Sequence, residues 1–97
     1  MWGKWVRLGD IAKRLSEFDG NHTIYASEPW TERSGAIVAP EPESGGLPPE
    51  AAEAGMTYFL EVSIAGDFVE AWIASLDHEP GASAVCERLI QYAINDA

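Results

Sequence analysis

The candidates in this 97-residue sequence for a nucleophile paired with an imidazole base are Cys86, His22 and His78. A hydrolytic nucleophile needs Ser or Cys beside a His and an orienting acid. Cys86 lies near the start of a stretch with helical spacing, where the positive end of the dipole can lower a thiol's pKa. It also lies on that stretch's apolar face, where a small thiol is ordinarily a packed core residue. His22 follows a Gly-Asn turn, and His78 ends a helical stretch, where a cationic imidazole is mildly favoured. A core cysteine and two surface histidines are therefore expected rather than a dyad.

Metal and phosphate chemistry have less support. Zinc needs three or four His, Cys or acidic ligands, and the sequence has neither His-x-x-x-His nor Cys-x-x-Cys. Asp77-His78-Glu79 groups three potential ligands, but adjacent residues seldom converge on one ion. Gly45-Gly46 and the Gly3/Gly9 pair match neither a P-loop nor a dinucleotide fingerprint. No catalytic, cofactor-binding or metal-ligating residue is expected, and an enzyme using a carboxylate-lined cleft is the least favoured reading.

Recognition chemistry has a better candidate in Glu28-Pro29-Trp30-Thr31-Glu32-Arg33. Trp and Arg are enriched at binding hot spots, and Pro29 stiffens the connection. Glu28, Trp30, Glu32 and Arg33 are the expected partner-binding residues. The competing reading folds Trp30 back over the end of the sheet and pairs Arg33 with Glu28 or Glu32. An exposed tryptophan without a partner is poor for solubility, which favours that competitor.

The net charge of −10 says what kind of partner would be attracted. Lys4, Arg7, Lys13 and Arg14 crowd the first fourteen positions, opposed by Asp10 alone. From Leu15 onward fifteen acids face only Arg33 and Arg88. Such a surface repels phosphate backbones, so nucleic acid is not an expected partner. It attracts basic proteins, although acidity also serves plain solubility. A single cysteine suits a reducing compartment. The start, MWGKWVRLGDIAKRL, lacks the continuous apolar region of a secretory signal. Glu61 and Asp67 interrupt the best apolar run well short of the ~18 residues a membrane helix needs. A cytoplasmic location and no membrane contact are expected.

The elements that must position these residues follow from periodicity. Trp2 and Trp5 open the chain in a lead-in, extended or helical. Leu8, Ile11, Ala12, Leu15 and Phe18 share one helical face, giving a first helix over 8–18 that ends at Asp19-Gly20-Asn21, with Gly20 able to take a left-handed cap. TIYAS (23–27) and GAIVA (35–39) read as strands. The segment 40–55, with four prolines, three glycines and four glutamates, is expected to be a flexible acidic loop, with room for one helical turn after Pro48-Pro49.

The chain is organised around 56–76. There Tyr58, Leu60, Val62 and Ile64 alternate with Phe59, Glu61 and Ser63 as a strand, and Ala65-Gly66-Asp67 turns. Phe68, Val69, Trp72, Ile73 and Leu76 then form a helical stripe. A last helix over 83–94, with Ser83 as N-cap, carries Val85, Cys86, Leu89, Ile90, Tyr92, Ala93 and Ile94 over half its circumference. Either it is wedged between sheet and helix, or its far edge makes a homodimer.

TIYASEPW, AIVAPEP, YFLEV and CERLIQYAINDA resemble segments of small uncharacterised bacterial proteins of about this length. The resemblance implies a bacterial, intracellular single-domain protein and brings no activity or site residues. The whole reading is one α+β domain over 1–97, with a three-stranded, mainly antiparallel sheet against three helices in the order α-β-β-β-α-α. Its expected role is an acidic protein-binding module masking a basic partner, such as an immunity-type or anti-defence inhibitor. The alternative is a homodimeric accessory protein.

Overall fold

A computed structural model describes residues 6–96; the questions posed by Trp2 and Trp5 lie outside the described residues. The chain runs β1 (Val6–Arg7), α1 (Leu8–Lys13), a 3-10 turn (Leu15–Glu17), β2 (Thr23–Ser27), β3 (Gly35–Ala39), α2 (Pro49–Glu53), β4 (Met56–Glu61), α3 (Val62–Ala74) and α4 (Ala82–Asp96). Among the described residues the class is α+β as expected, but the sheet has four strands instead of three, in the order β1-β3-β2-β4 with every pairing antiparallel, and four α-helices stand where three were expected. The added strand is the two-residue β1, which pairs Val6 with Ala36 and Arg7 with Gly35 at the sheet edge. Two residues are too few to show a period of two.

The sheet separates two apolar layers. Ile24 and Ala26 of β2, Ala36 of β3 and Phe59 and Leu60 of β4 face α1, α3 and α4, where they meet Leu8, Ile11, Leu15, Cys86 and Leu89. Tyr25 and Met56 face the other way and are covered by Ala51 of α2, with Ile37 and Ala39 alongside. The expected loop thus supplies a lid. Pro49 starts its single short helix without needing a donor, and Gly55, at φ 74°, ends it in a left-handed conformation.

The central unit differs from its expected form in two ways. A bulge opposite Ile24 and Tyr25 pairs Ile24 with Leu60 but Tyr25 with Tyr58, leaving Phe59 between them. Phe59 and Leu60 therefore both enter the main core, while Tyr58 is 44% exposed. Simple alternation would have put Phe59 opposite Leu60. Secondly, no turn forms at Ala65-Gly66-Asp67. The strand stops at Glu61 and the helix starts at Val62, so those three residues are helical and Ala65 is fully buried.

Backbone carbonyls from neighbouring turns replace the missing side-chain caps. The Val62 and Ser63 N–H groups donate to the carbonyls of His22 (3.0 Å) and Gly20 (3.3 Å). In α1, Leu8 N–H donates to Ser34 O at 2.8 Å and Gly9 N–H to Glu32 O at 2.9 Å. Neither helix has a side-chain N-cap bond. These bonds satisfy donors that a helix start otherwise leaves unpaired. The first helix also stops earlier than expected, at Lys13, and continues as the 3-10 turn; Gly20 is not left-handed.

Candidate functional site

The four expected partner-binding residues lie in the turn between β2 and β3, and that turn is tied into the fold. Trp30 is half-buried, with its ring edge-on to Phe59 at 4.9 Å between centroids. Its indole Nε1–H donates to the Ala26 carbonyl at 3.2 Å. Ser34 Oγ accepts from Thr31 N–H at 2.9 Å and donates to Pro29 O at 3.2 Å, which closes the turn on itself. The folded-back geometry for Trp30 is the one present.

Glu32 carries the turn to the helices. Its carbonyl caps Gly9 of α1, and its carboxylate Oε2 accepts from Ser83 Oγ of α4 at 3.0 Å. Ser83 is accordingly not an N-cap, since α4 begins one residue earlier. The expected pairing of Arg33 with Glu28 or Glu32 is absent. Among the described residues the ion pairs are Lys13 with Asp10 (3.9 Å) and His78, when protonated, with Asp77 (3.1 Å).

Two clefts flank the turn. One, of about 480 Å³, runs from Trp30, Glu32 and Arg33 to Ile90 and Ile94 of α4. The other, of about 430 Å³, lies among Arg7, Asp10, Lys13, Glu32, Arg33 and Ser83. Glu32 and Arg33 line both, Trp30 lines one, and Glu28 lines neither. Glu28 and Arg33 are exposed.

The chemistry-bearing residues do not converge. Cys86 is fully buried, and burial pushes its thiol up to about 11, with the charges of Glu32 and Glu87 adding to the effect. That is the reverse of an activated nucleophile. His78 is exposed beside Asp77, and His22 sits in the turn that caps α3. Among the described residues no three His, Cys, Asp or Glu side chains group so as to hold a metal ion, and no helix is long and apolar enough to cross a membrane.

A further concavity lies where only core packing was expected. The α3 stripe of Phe68, Val69, Trp72 and Ile73, with Leu76 just past the helix end, is half-buried throughout. One edge leans on α4, where Phe68 stacks on Tyr92 at 4.1 Å and the Arg88 guanidinium lies 5.1 Å from the Phe68 ring centroid. The other edge, Val69 and Ile73, faces the end of α1 and the 3-10 turn across an open groove of about 700 Å³. Leu15, Phe18, Val62 and Val85 complete its apolar floor, and Asp67, Glu70 and Glu79 stand along it with Lys13 opposite. Periodicity finds such a stripe but does not say whether a neighbour covers both of its edges.

In α4, Val85, Cys86, Leu89, Ile90 and Ala93 are buried, Tyr92 is half-buried, and Ile94 is 53% exposed. Its wide apolar surface is thus divided between α1, the sheet and α3. No protein-family model, curated protein or solved structure matches this chain.

Proposed function

We propose that this chain is a small acidic protein-binding module that covers a basic surface of a partner, as an immunity-type or anti-defence inhibitor does. The observation that carries this reading is the groove beside α3: an apolar floor with three carboxylates and one lysine along it, on a chain of net charge −10. Apolar contact supplies the affinity, and the surrounding carboxylates steer encounter and reject acidic partners. The Trp30 turn serves this role from behind, by holding the starts of α1 and α4 in place through Glu32.

The test is capture from host extract, comparing the intact protein with a Val69→Asp, Ile73→Asp double variant. A genuine partner is basic, is retained by the intact protein alone, and is released on raising salt from roughly 0.05 to 0.5 M as surface charges are screened. Retention of the same proteins by both forms, or indifference to salt, would sink the proposal. The second reading is a homodimer through α4, favoured by the exposed Ile94; a concentration-dependent mass in light scattering that Ile94→Lys abolishes would establish it.

A further inference from the structure

We propose that the occupant of the α1–α3 groove is one amphipathic, cationic helix of another protein, seated on Leu15, Val69 and Ile73 with its basic residues toward Asp67, Glu70 and Glu79. This inference rests on the protein-binding reading above and specifies the form and placement of the ligand.

The shape of the ligand follows from the walls. Both long walls are helical, α1 with its 3-10 turn on one side and α3 on the other. Helices satisfy their backbone groups internally and offer no free edge for strand addition. An extended peptide lying there would gain no backbone hydrogen bonds from these walls and would lose water from its buried side; a helix brings its backbone groups already satisfied. From Val62 to Ile73 the α3 wall spans about three turns at roughly 1.5 Å per residue, enough for apolar anchors at i, i+3, i+4 and i+7. A small polar ligand fits poorly, because the floor of Ala12, Leu15, Val62, Val69, Ile73 and Val85 is apolar.

Charge decides between a foreign partner and a second copy. Asp67 and Glu70 rise from the α3 wall and Glu79 from the segment after it, whereas the opposing Lys13 lies 3.9 Å from Asp10. Two copies meeting groove to groove would set these carboxylates against one another, on chains that each carry −10. A cationic helix meets them favourably and excludes water from the apolar floor at the same time.

The probe is a synthetic peptide of about four turns, built of Leu, Ala and Lys with leucines on one helical face, titrated into the isotope-labelled protein. A control peptide carries Glu at every Lys position. The expected result is amide shifts centred on Leu15, Val69, Ile73 and Val85, with the Glu peptide silent. Val69→Asp should weaken binding by at least about tenfold, and Glu70→Lys, at an exposed position that leaves the fold intact, by several-fold. Shifts centred on the Trp30 turn or on Ile94 would overturn the groove assignment while leaving a basic-partner module standing. Equal binding of the Glu peptide would overturn the charge argument and the module reading together. Silence of both peptides at ~1 mM overturns this inference whatever the oligomeric state. Groove signals that shift when residues 1–5 are deleted, with no peptide present, overturn it in favour of the chain's own start as occupant.

Discussion

Gly9 N–H donates to the Glu32 carbonyl at 2.9 Å, and a Cβ built on Gly9 would lie 3.1 Å from that same oxygen. One contact therefore caps α1 and fixes how closely the β2–β3 turn may approach it. The carboxylate of the same Glu32 reaches Ser83 in α4. Three elements distant in sequence meet at one residue that was expected to face a partner.

Gly9→Ala tests how tight this contact is. Alanine is up to about 1 kcal/mol better than glycine in a helix, but here its methyl presses on backbone, and overpacking costs about 1–3 kcal/mol. The Glu32 carbonyl is held by its own hydrogen bond, so the clash should win by about 1 kcal/mol, lowering the melting temperature by roughly 4–8 °C. Gly66→Ala is the opposite case, because a Cβ at this helical position meets nothing within 4 Å among the described residues. It should raise stability by about 0.5–1 kcal/mol. Thermal unfolding followed by circular dichroism reads both, and a shift of the same sign in the two variants would contradict the contact argument.

Trp30 should matter to folding before it matters to binding. Removing a fully buried Trp or Phe side chain costs about 3–5 kcal/mol, so Trp30→Ala at this half-buried site should cost about 2 kcal/mol. Trp30→Phe keeps an aromatic ring against Phe59 and loses only the bond to Ala26 O, worth about 1 kcal/mol. Urea unfolding midpoints should rank wild type above Phe above Ala. A Trp30→Ala protein as stable as wild type would show that the packing of this ring on Phe59 contributes nothing to folding.

Legibility in the sequence follows how local each cause is. The strands 23–27 and 35–39 coincide with the observed β2 and β3, because β-branched and apolar runs bounded by turn residues need no distant partner to be recognised. The start of α3 was hidden because its first donors are satisfied by Gly20 and His22, some forty residues earlier, and not by a capping side chain. Phe59 was misplaced because a bulge breaks the period of two, and a bulge is a property of the pairing of two strands. For Trp30 both readings were consistent with composition, and Phe59 decides between them. The groove depends on the separation of α1 and α3, which neither helix encodes alone.

Tyr25 offers a substitution that should improve the protein. Its ring is buried in a T-shaped pair with Tyr58, yet its hydroxyl finds no hydrogen-bond partner among the described residues. An unsatisfied buried polar group costs about 1–3 kcal/mol, so Tyr25→Phe should be neutral or stabilising by about 1 kcal/mol. Burial raises the phenol's pKa above 10.0 and Glu41 adds to this, while Thr23 on the same strand face pulls the other way without closing a hydrogen bond. The folded state thus holds this proton more tightly than the unfolded chain. Wild-type stability should fall as pH rises above about 10, and the advantage of Tyr25→Phe should widen there. Destabilisation by Tyr25→Phe at neutral pH would mean the hydroxyl has a partner.

Ala51 and Ala52 separate a structural α2 from a mere connector. Ala51 is fully buried against the second face of the sheet, and Ala52, its neighbour, is exposed. Ala51→Asp puts a carboxylate among Tyr25 and Met56 and should cost about 2–4 kcal/mol; Ala52→Asp should stay within about 0.5 kcal/mol of wild type. Equal, small effects on the urea midpoint would show that α2 contributes no burial.

Cys86 gives the sharpest prediction on pH. Its thiol is pushed from 9.0 to about 11, first by burial and then by Glu32 and Glu87. Below pH 9 both folded and unfolded chains keep the proton, and stability does not depend on it. Between about pH 9 and 11 the unfolded chain loses the proton first, so stability falls by about 1.4 kcal/mol per pH unit across that window. Tyr25 and Tyr58, both raised, bend the curve the same way. The difference between wild type and Cys86→Ala isolates the thiol: the variant starts lower, by the cost of a small cavity, and its stability declines less steeply above pH 9. The same burial should leave native Cys86 unlabelled by a thiol reagent at pH 8 and labelled at once in denaturant. Rapid labelling of the native protein, with parallel stability curves for the two forms, would show that Cys86 is open to solvent and its thiol unperturbed.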